Sequence, residues 1–221
     1  MTNKIDNRMQ PPSTAGVCKK DFLMAIENFH GRQAPGLVLG GLMVDLGIEL
    51  LGGFSDPAAV VETQCFLPDA VQVLTPCTIG NGRLVILDWG KMALCLYDKN
   101  KLAGYRIWLD LKKARPFPRI YNWHMHLSPE KELRDDPVIE DILCAGRSIL
   151  SWRAVPITQP LGGRTKQTLA VCPRCEEAYP VVQGDKCLSC QGETYFELPE
   201  ETAGESLESS CPAPCNRFET A

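Results

Sequence analysis

The sequence predicts an α+β protein with an antiparallel sheet and packed helices, followed by a small zinc-ribbon or treble-clef-like module. Three observations carry this. Apolar residues recur at helical spacing between positions 22 and 50; three short apolar runs at 83–87, 92–97 and 105–109 are separated by turn residues; and two C-x2-C pairs occur late in the chain. With 221 residues the chain is long enough for one substantial core and an appendage. On these signals it divides into a flexible lead-in at 1–19, an α+β domain at 20–165, a zinc-binding domain at 166–196 and an acidic flexible tail at 197–221.

Phe22, Ile26 and Phe29 fall on one helical face, and Gly31 is placed to end that helix beside His30. Pro35 and Gly36 open a second apolar segment with residues 38, 42, 46 and 50 in an i, i+4 series. Gly36, Gly40 and Gly47 lie near one side, and interior glycines cost roughly 0.5–1 kcal/mol each in a helix. Their presence implies close packing against another element. Asp45 and Glu49 interrupt the apolar run, so a membrane span is not expected.

Residues 58–63 read as a strand and 68–74 as a short helix, with Pro68 in its first turn and Asp69 placed to meet free N–H groups. Asn81-Gly82 marks a turn before the strand at 83–87. The runs at 92–97 and 105–109 are joined by D-K-N-K-L-A-G, a hairpin-like connection that favours antiparallel pairing. The segment A-R-P-F-P-R-I-Y then ends the sheet signal, and the basic residues Lys112, Lys113, Arg115 and Arg119 read as a solvated connection. Ser128-Pro129 is a helix start, Pro137 is expected to divide the helical pattern that follows, and 153–159 reads as an edge strand limited by Pro156.

Composition bounds the function. The formal net charge is −4, which offers no general attraction to nucleic acid or to an anionic membrane surface. The amino terminus lacks a signal-peptide pattern and no run of eighteen apolar residues occurs, so a cytoplasmic location is the expectation. Eleven cysteines, an odd number with four in C-x2-C pairs, point to metal ligation in a reducing compartment rather than to a disulfide framework.

The strongest chemical signal is Cys172-Pro173-Arg174-Cys175 followed, after eleven residues, by Cys187-Leu188-Ser189-Cys190. Two such knuckles bring four thiolates to a tetrahedral Zn2+, which organises a domain too small to fold on apolar burial alone. No Lys or Arg occurs from Gln191 through Asn216, which disfavours nucleic-acid binding by this module. Cys211 and Cys215 form a weaker pair in the acidic tail, with a functionally silent tail as the competing reading.

Elsewhere His30, Arg32, Cys65, Asp69, Cys77 and Lys91 are the candidates for a ligand or second-metal cleft. Imidazole and thiolate suit metal ligation or proton transfer, while arginine and lysine suit an anion. His124 and His126, two apart, would face the same way if extended, a weaker metal candidate. Buried cysteine is common in cores, so Cys65 and Cys77 singly also have a structural reading.

The order F-H-G-R-Q-A-P-G, then T-x-C-x3-D-A-x-Q-x-L-T-x-C-T-x-G-x-G across 63–82, then D-W-G-K-M-A-L and the paired knuckles, resembles the E-subunit family of tungsten or molybdenum formylmethanofuran dehydrogenase over residues 20–195. The resemblance implies an α+β domain, a carboxyl-terminal zinc-binding domain and a homodimer, and the family includes free-standing chains. Its first segment has the pattern H-G-H-x-C-P-G, whose histidine and cysteine, with the cysteine before D-A-x-Q, look like a metal set. This chain keeps His30 and Cys65 but has Arg32 and Ala34 at the other two positions, and neither side chain supplies a metal donor. The expectation is a zinc-binding accessory protein with a modified cleft for a second transition metal or for a small anionic or pterin-like ligand, and an oxidoreductase partner. An independent metal- or thiol-dependent enzyme and a non-catalytic dimeric scaffold are the alternatives.

Overall fold

The computed structural model describes residues 24–25, 28–127, 135–162 and 166–196. They form two compact units divided between Arg164 and Thr165. The expected lead-in at 1–19, most of the first helix, the Ser128-Pro129 helix start, the acidic tail, and Cys211 and Cys215 lie outside the described residues.

The first unit is built on helix α1, Pro35–Leu51, which begins with proline at its first position and ends at Gly52 in the left-handed conformation. Leu37, Val38, Leu39, Met43 and Val44 are all fully buried, so the helix is enclosed on most sides rather than along one stripe. Its glycines explain how. A Cβ at Gly40 would stand 3.0 Å from the Cβ of Ala70, and one at Gly47 would stand 3.2 Å from both Ile107 and Leu96. Side chains at these two positions would hold the neighbouring helix and the sheet away.

Strand β1 (Pro57–Val61), helix α2 (Leu67–Leu74) and strands β2 (Leu84–Ile86), β3 (Ala93–Asp98) and β4 (Ala103–Leu109) follow. With β5 (Leu150–Pro156) the strands form one sheet in the order β2-β1-β3-β4-β5. The sheet is mixed rather than wholly antiparallel, because β1 and β2 run parallel. Their connection passes through α2, and a helical crossover returns the chain in the same direction where a hairpin reverses it. The β3–β4 pair is the expected hairpin. At its turn the buried Asp98 accepts from the Ser55 N–H (2.8 Å), the Ser55 hydroxyl (2.7 Å) and the Asn100 N–H (2.9 Å). Burial opposes its ionised form, but these donors outweigh burial and hold the carboxyl well below the usual range. The turn before β2 is closed by Asn81, whose side-chain oxygen accepts the Thr78 and Arg83 N–H groups, each at 3.0 Å.

One sheet face, with Val61, Leu94, Leu96 and Ile107, joins α1 in the main core. After β4 the chain does not run as an irregular connection. Asp110 accepts the Lys112 N–H at 2.9 Å and starts helix α3, Leu111–Ala114, and helix α4, Pro118–His124, follows. The basic run is engaged in packing: Lys113 Nζ donates to the Leu150 carbonyl at 2.7 Å and Arg119 meets Asp141 at 3.1 Å. Helix α5, Asp135–Ala145, carries Pro137 in its first turn, where the missing N–H is not needed, so within the described residues Pro137 sits at the start of a helix. A 3-10 turn, Gly146–Ile149, leads into β5, which begins three residues before the predicted strand and lies at the sheet edge as expected.

The second unit contains a two-stranded antiparallel ribbon, β6 (Leu169–Val171) with β7 (Ala178–Pro180), a 3-10 turn at Val181–Gln183 and the short helix α6 (Leu188–Gln191). Its buried centre consists of Cys172, Tyr179 and Cys190. No helix among the described residues is long and apolar enough to cross a membrane.

Candidate functional site

Cys172 follows β6, and the chain turns back at once. The Glu176 N–H donates to the Cys172 carbonyl at 2.9 Å, the Cys172 N–H donates to the Glu177 carbonyl at 2.8 Å, and Glu176 takes a left-handed φ of 60°. This knuckle presents Cys175 beside Cys172. The second begins at Cys187, whose carbonyl accepts the Gln191 N–H at 3.1 Å as α6 opens, and it closes at Gly192 with φ 106°. The four sulfur atoms of Cys172, Cys175, Cys187 and Cys190 all lie within 4.8 Å of one another. A tetrahedral Zn2+ with Zn–S near 2.3 Å requires sulfur separations of about 3.8 Å. The Cys175 to Cys187 sulfur distance is 3.7 Å, so the donor set fits that ion. The Cys175 N–H, burial acting against it and the Cys187 and Arg174 N–H groups together bring the Cys172 thiol down to about 6, which favours the thiolate a metal needs. Burial drives Cys190 up to about 12 in the absence of such a cation. Among the described residues this is the one group of three or more His, Cys, Asp or Glu side chains that could hold a metal.

A second constellation forms where the parallel strands β1 and β2 end on the same side. The Leu87 N–H donates to the Val61 carbonyl at 2.8 Å, and the Glu62 carbonyl accepts both the Trp89 N–H (3.1 Å) and the Lys91 N–H (2.9 Å). Gln64 donates its N–H to Asp88 at 3.3 Å. These bonds tie the loop after β1 to the loop after β2. The Glu62 side chain anchors the assembly from below. It is 5% exposed and pairs with Arg106 through two hydrogen bonds of 2.6 Å each, while the Arg106 guanidinium lies 5.2 Å from the Trp108 ring centre.

The first loop then carries Cys65 and Phe66. The Cys65 N–H donates to the Thr63 hydroxyl at 3.1 Å, and Phe66 takes a φ of 62° before α2 starts, leaving Cys65 exposed. One turn into α2, the Asp69 carboxylate meets His30 Nδ1 at 2.6 Å. Thus Asp69 engages a side chain 39 positions away. The His30 ring also tilts against the Phe66 ring, with centres 5.9 Å apart, and Phe66 lies so close to α1 that a Cβ on Gly36 would come within 2.3 Å of its ring. His30, Phe66 and Asp69 are therefore one packed group, with Cys65 in the adjoining turn.

The remaining sequence candidates separate. Cys77 is fully buried in the main core and its thiol is raised by burial, so it stands apart from the exposed Cys65. Arg32 is exposed, and Ala34 is buried with its carbonyl accepting the Leu37 N–H at the start of α1. Lys91 lies in the second loop, its Nζ 5.5 Å from the Trp89 ring centre. His124 and His126 do not lie on an extended strand. His124 ends α4, and His126 takes a φ of 52° in the turn where the Leu127 N–H donates to the Asn122 carbonyl at 2.9 Å. Sequence reasoning passed over Trp89, Phe66 and the Glu62–Arg106 pair. For Trp89 a signal existed, an aromatic residue beside glycine and lysine in D-W-G-K, directly after a strand.

Residues 29–159 match the family described as “FmdE, Molybdenum formylmethanofuran dehydrogenase operon”. The chain belongs to the FmdE family. Residues 163–197 match the FmdE treble clef zinc finger, the segment that contains the four clustered cysteines. Among solved structures, an FmdE-like protein of tungsten formylmethanofuran dehydrogenase type from Syntrophus aciditrophicus is similar at 40% identity with a TM-score of 0.72, covering 83% of this chain and 97% of that one. A probable S-adenosyl-L-methionine-binding protein of Archaeoglobus fulgidus is 34% identical over 104 residues. That match takes in 43% of this chain and spans 28% of the relative's length.

Proposed function

We propose that this FmdE protein is a zinc-binding accessory protein whose treble clef holds a structural Zn2+ and whose FmdE domain carries a separate ligand cleft. The observation that supports the cleft is the His30–Asp69 contact of 2.6 Å. A carboxylate on one imidazole nitrogen fixes the ring and raises the basicity of the other, the arrangement typical of a metal-bound histidine. His30 Nε2 and the exposed Cys65 thiol then provide two donors, and a bound ligand or a second protomer completes the coordination. Arg32 and Lys91 add positive charge for an anionic ligand where the family pattern places further metal donors. Family context supports service to a molybdenum- or tungsten-dependent oxidoreductase in the cytoplasm, with the chain acting as a homodimer.

Titrating Co2+ into the zinc-loaded full-length chain tests the cleft. The expected result is one further bound equivalent, lost in His30→Ala and in Cys65→Ala, while saturation with no further equivalent contradicts the metal part of the reading. The accessory role is tested by recovering the tagged chain from its own cells: molybdenum or tungsten enriched with it supports the role, and none above the level of an untagged control opposes it. The same exposed thiol beside an oriented imidazole also favours a second reading, a thiol-dependent enzyme with His30 as the proton acceptor. Rapid alkylation of Cys65 that slows about tenfold in His30→Ala would favour that reading over metal ligation.

A further inference from the structure

We propose that Trp89 and Lys91 form the recognition arm of the His30–Cys65 cleft, and that the ligand is a planar aromatic ring carrying an anionic group. This rests on the cleft reading above and names the class of molecule the cleft takes.

An exposed indole by itself carries no functional information, since single apolar residues are common on protein surfaces. Three constraints set Trp89 apart. First, it is 59% exposed yet sits in a backbone held from both sides: its own N–H and that of Lys91 converge on the Glu62 carbonyl, and Gly90 between them takes a φ of 66° that a side chain would resist. A residue exposed by loose packing would not need a two-point anchor seated on the buried Glu62–Arg106 pair. Second, a cation accompanies the ring, with Lys91 Nζ 5.5 Å from its centre. Aromatic area and positive charge are thus presented together, the two features that a flat ring with a phosphate or carboxylate would engage.

Third, the loop is tied to the one that bears Cys65. Gln64, next to Cys65, donates to Asp88, next to Trp89. Both loops leave the carboxyl ends of the parallel pair β1 and β2, while the other neighbour of β1, strand β3, runs antiparallel. Loops at the carboxyl ends of parallel strands, where the connectivity changes direction, are where open α/β sheets form ligand crevices. A ring stacked on Trp89 with its anion at Lys91 would therefore lie along the loop pair whose other half carries Cys65 and leads to the His30–Asp69 contact.

Equilibrium dialysis of the zinc-loaded full-length chain against flavin mononucleotide and folate, two anionic planar rings, tests this. Riboflavin supplies the ring without the phosphate, and inorganic phosphate supplies the charge without the ring. We expect at least one anionic ring to bind saturably, with riboflavin and phosphate each at least tenfold weaker. Trp89→Ala should weaken the anionic ring tenfold or more, Trp89→Phe should restore most of it, and Lys91→Gln should erase the preference over riboflavin. Binding of neither anionic ring, or affinity unchanged by Trp89→Ala, overturns the proposal. So does a shift in sedimentation from dimer to monomer in Trp89→Ala, which would assign the indole to a second copy of the chain. Cobalt uptake measured in parallel separates the two readings: an additional equivalent that depends on His30 with no ring binding removes the arm and leaves the cleft. Ring binding that depends on Trp89 with no His30-dependent cobalt removes the metal cleft and leaves an anionic-ring site.

Discussion

In the treble-clef unit the buried centre is made of Cys172, Tyr179 and Cys190, so two of its three core residues are also metal ligands. In the FmdE unit the core is Leu94, Leu96, Ile107 and the buried face of α1, while His30 and Asp69 sit at its edge, 25% and 29% exposed. The first unit has little apolar material beyond its ligands. The second has a complete core that needs none of its site residues. The comparison teaches that the same donor atoms hold up the fold in one unit and leave it untouched in the other, and substitutions can break or sharpen that contrast.

The largest effect is expected from the sulfur cluster. Structural zinc contributes apparent binding energies of about 10–16 kcal/mol in small fingers. Chelation, or Cys172→Ser, should leave residues 166–196 unprotected in hydrogen exchange while β3 and β4 keep their slow amides; protection that survives in 166–196 would break the comparison. Next, Ile107→Ala should cost the FmdE unit about 2–5 kcal/mol, read from denaturant midpoints, because this fully buried side chain lies against α1 and the site of closest approach at Gly47. Zinc content should not change.

Arg106→Met removes the partner of a carboxylate that is 5% exposed and should destabilise by about 3 kcal/mol. The double variant with Glu62→Leu should recover most of this loss, which a denaturation series on the three proteins would show. Asp69→Asn should change stability by under ~1 kcal/mol, since the His30–Asp69 pair is partly exposed. It should nonetheless lower cleft metal affinity about 10–100-fold by loosening the imidazole, as measured by Co2+ titration.

The smallest effect concerns pH. Burial, assisted by His126, lowers the folded pKa of His124. The unfolded chain, with an imidazole near 6.5, then binds more protons than the folded one, so stability falls as pH drops below about 6.5. Urea midpoints at neutral and mildly acidic pH should show a smaller drop in His124→Gln.

The same contrast governs what could be read from sequence. Ligands that make the fold must be close in sequence when the domain is short, so the spacing of Cys172, Cys175, Cys187 and Cys190 disclosed both the module and its chemistry. Turn residues likewise marked the strands and the β3–β4 hairpin, and the glycines of α1 disclosed its close packing. The parallel pairing of β1 and β2 was not legible, because neither strand specifies its partner and the crossover helix alone decides direction. Cys65 and Cys77 looked alike in sequence, yet one is in an exposed turn and the other in the core, since α2 lies between them and buries its far end. The His30–Asp69 contact spans 39 positions and depends on how α1 and α2 pack, which no local pattern records.

Metal content per chain, measured on tag-free full-length protein and on Cys172→Ser, His30→Ala and Cys65→Ala, tests the central claim of two separate centres most directly. The account predicts two equivalents in the unaltered protein reconstituted with Zn2+. Cys172→Ser should lose one with loss of protection in 166–196, and His30→Ala or Cys65→Ala should lose the other with 166–196 still protected. A single equivalent, abolished by Cys172→Ser and indifferent to His30 and Cys65, would contradict it.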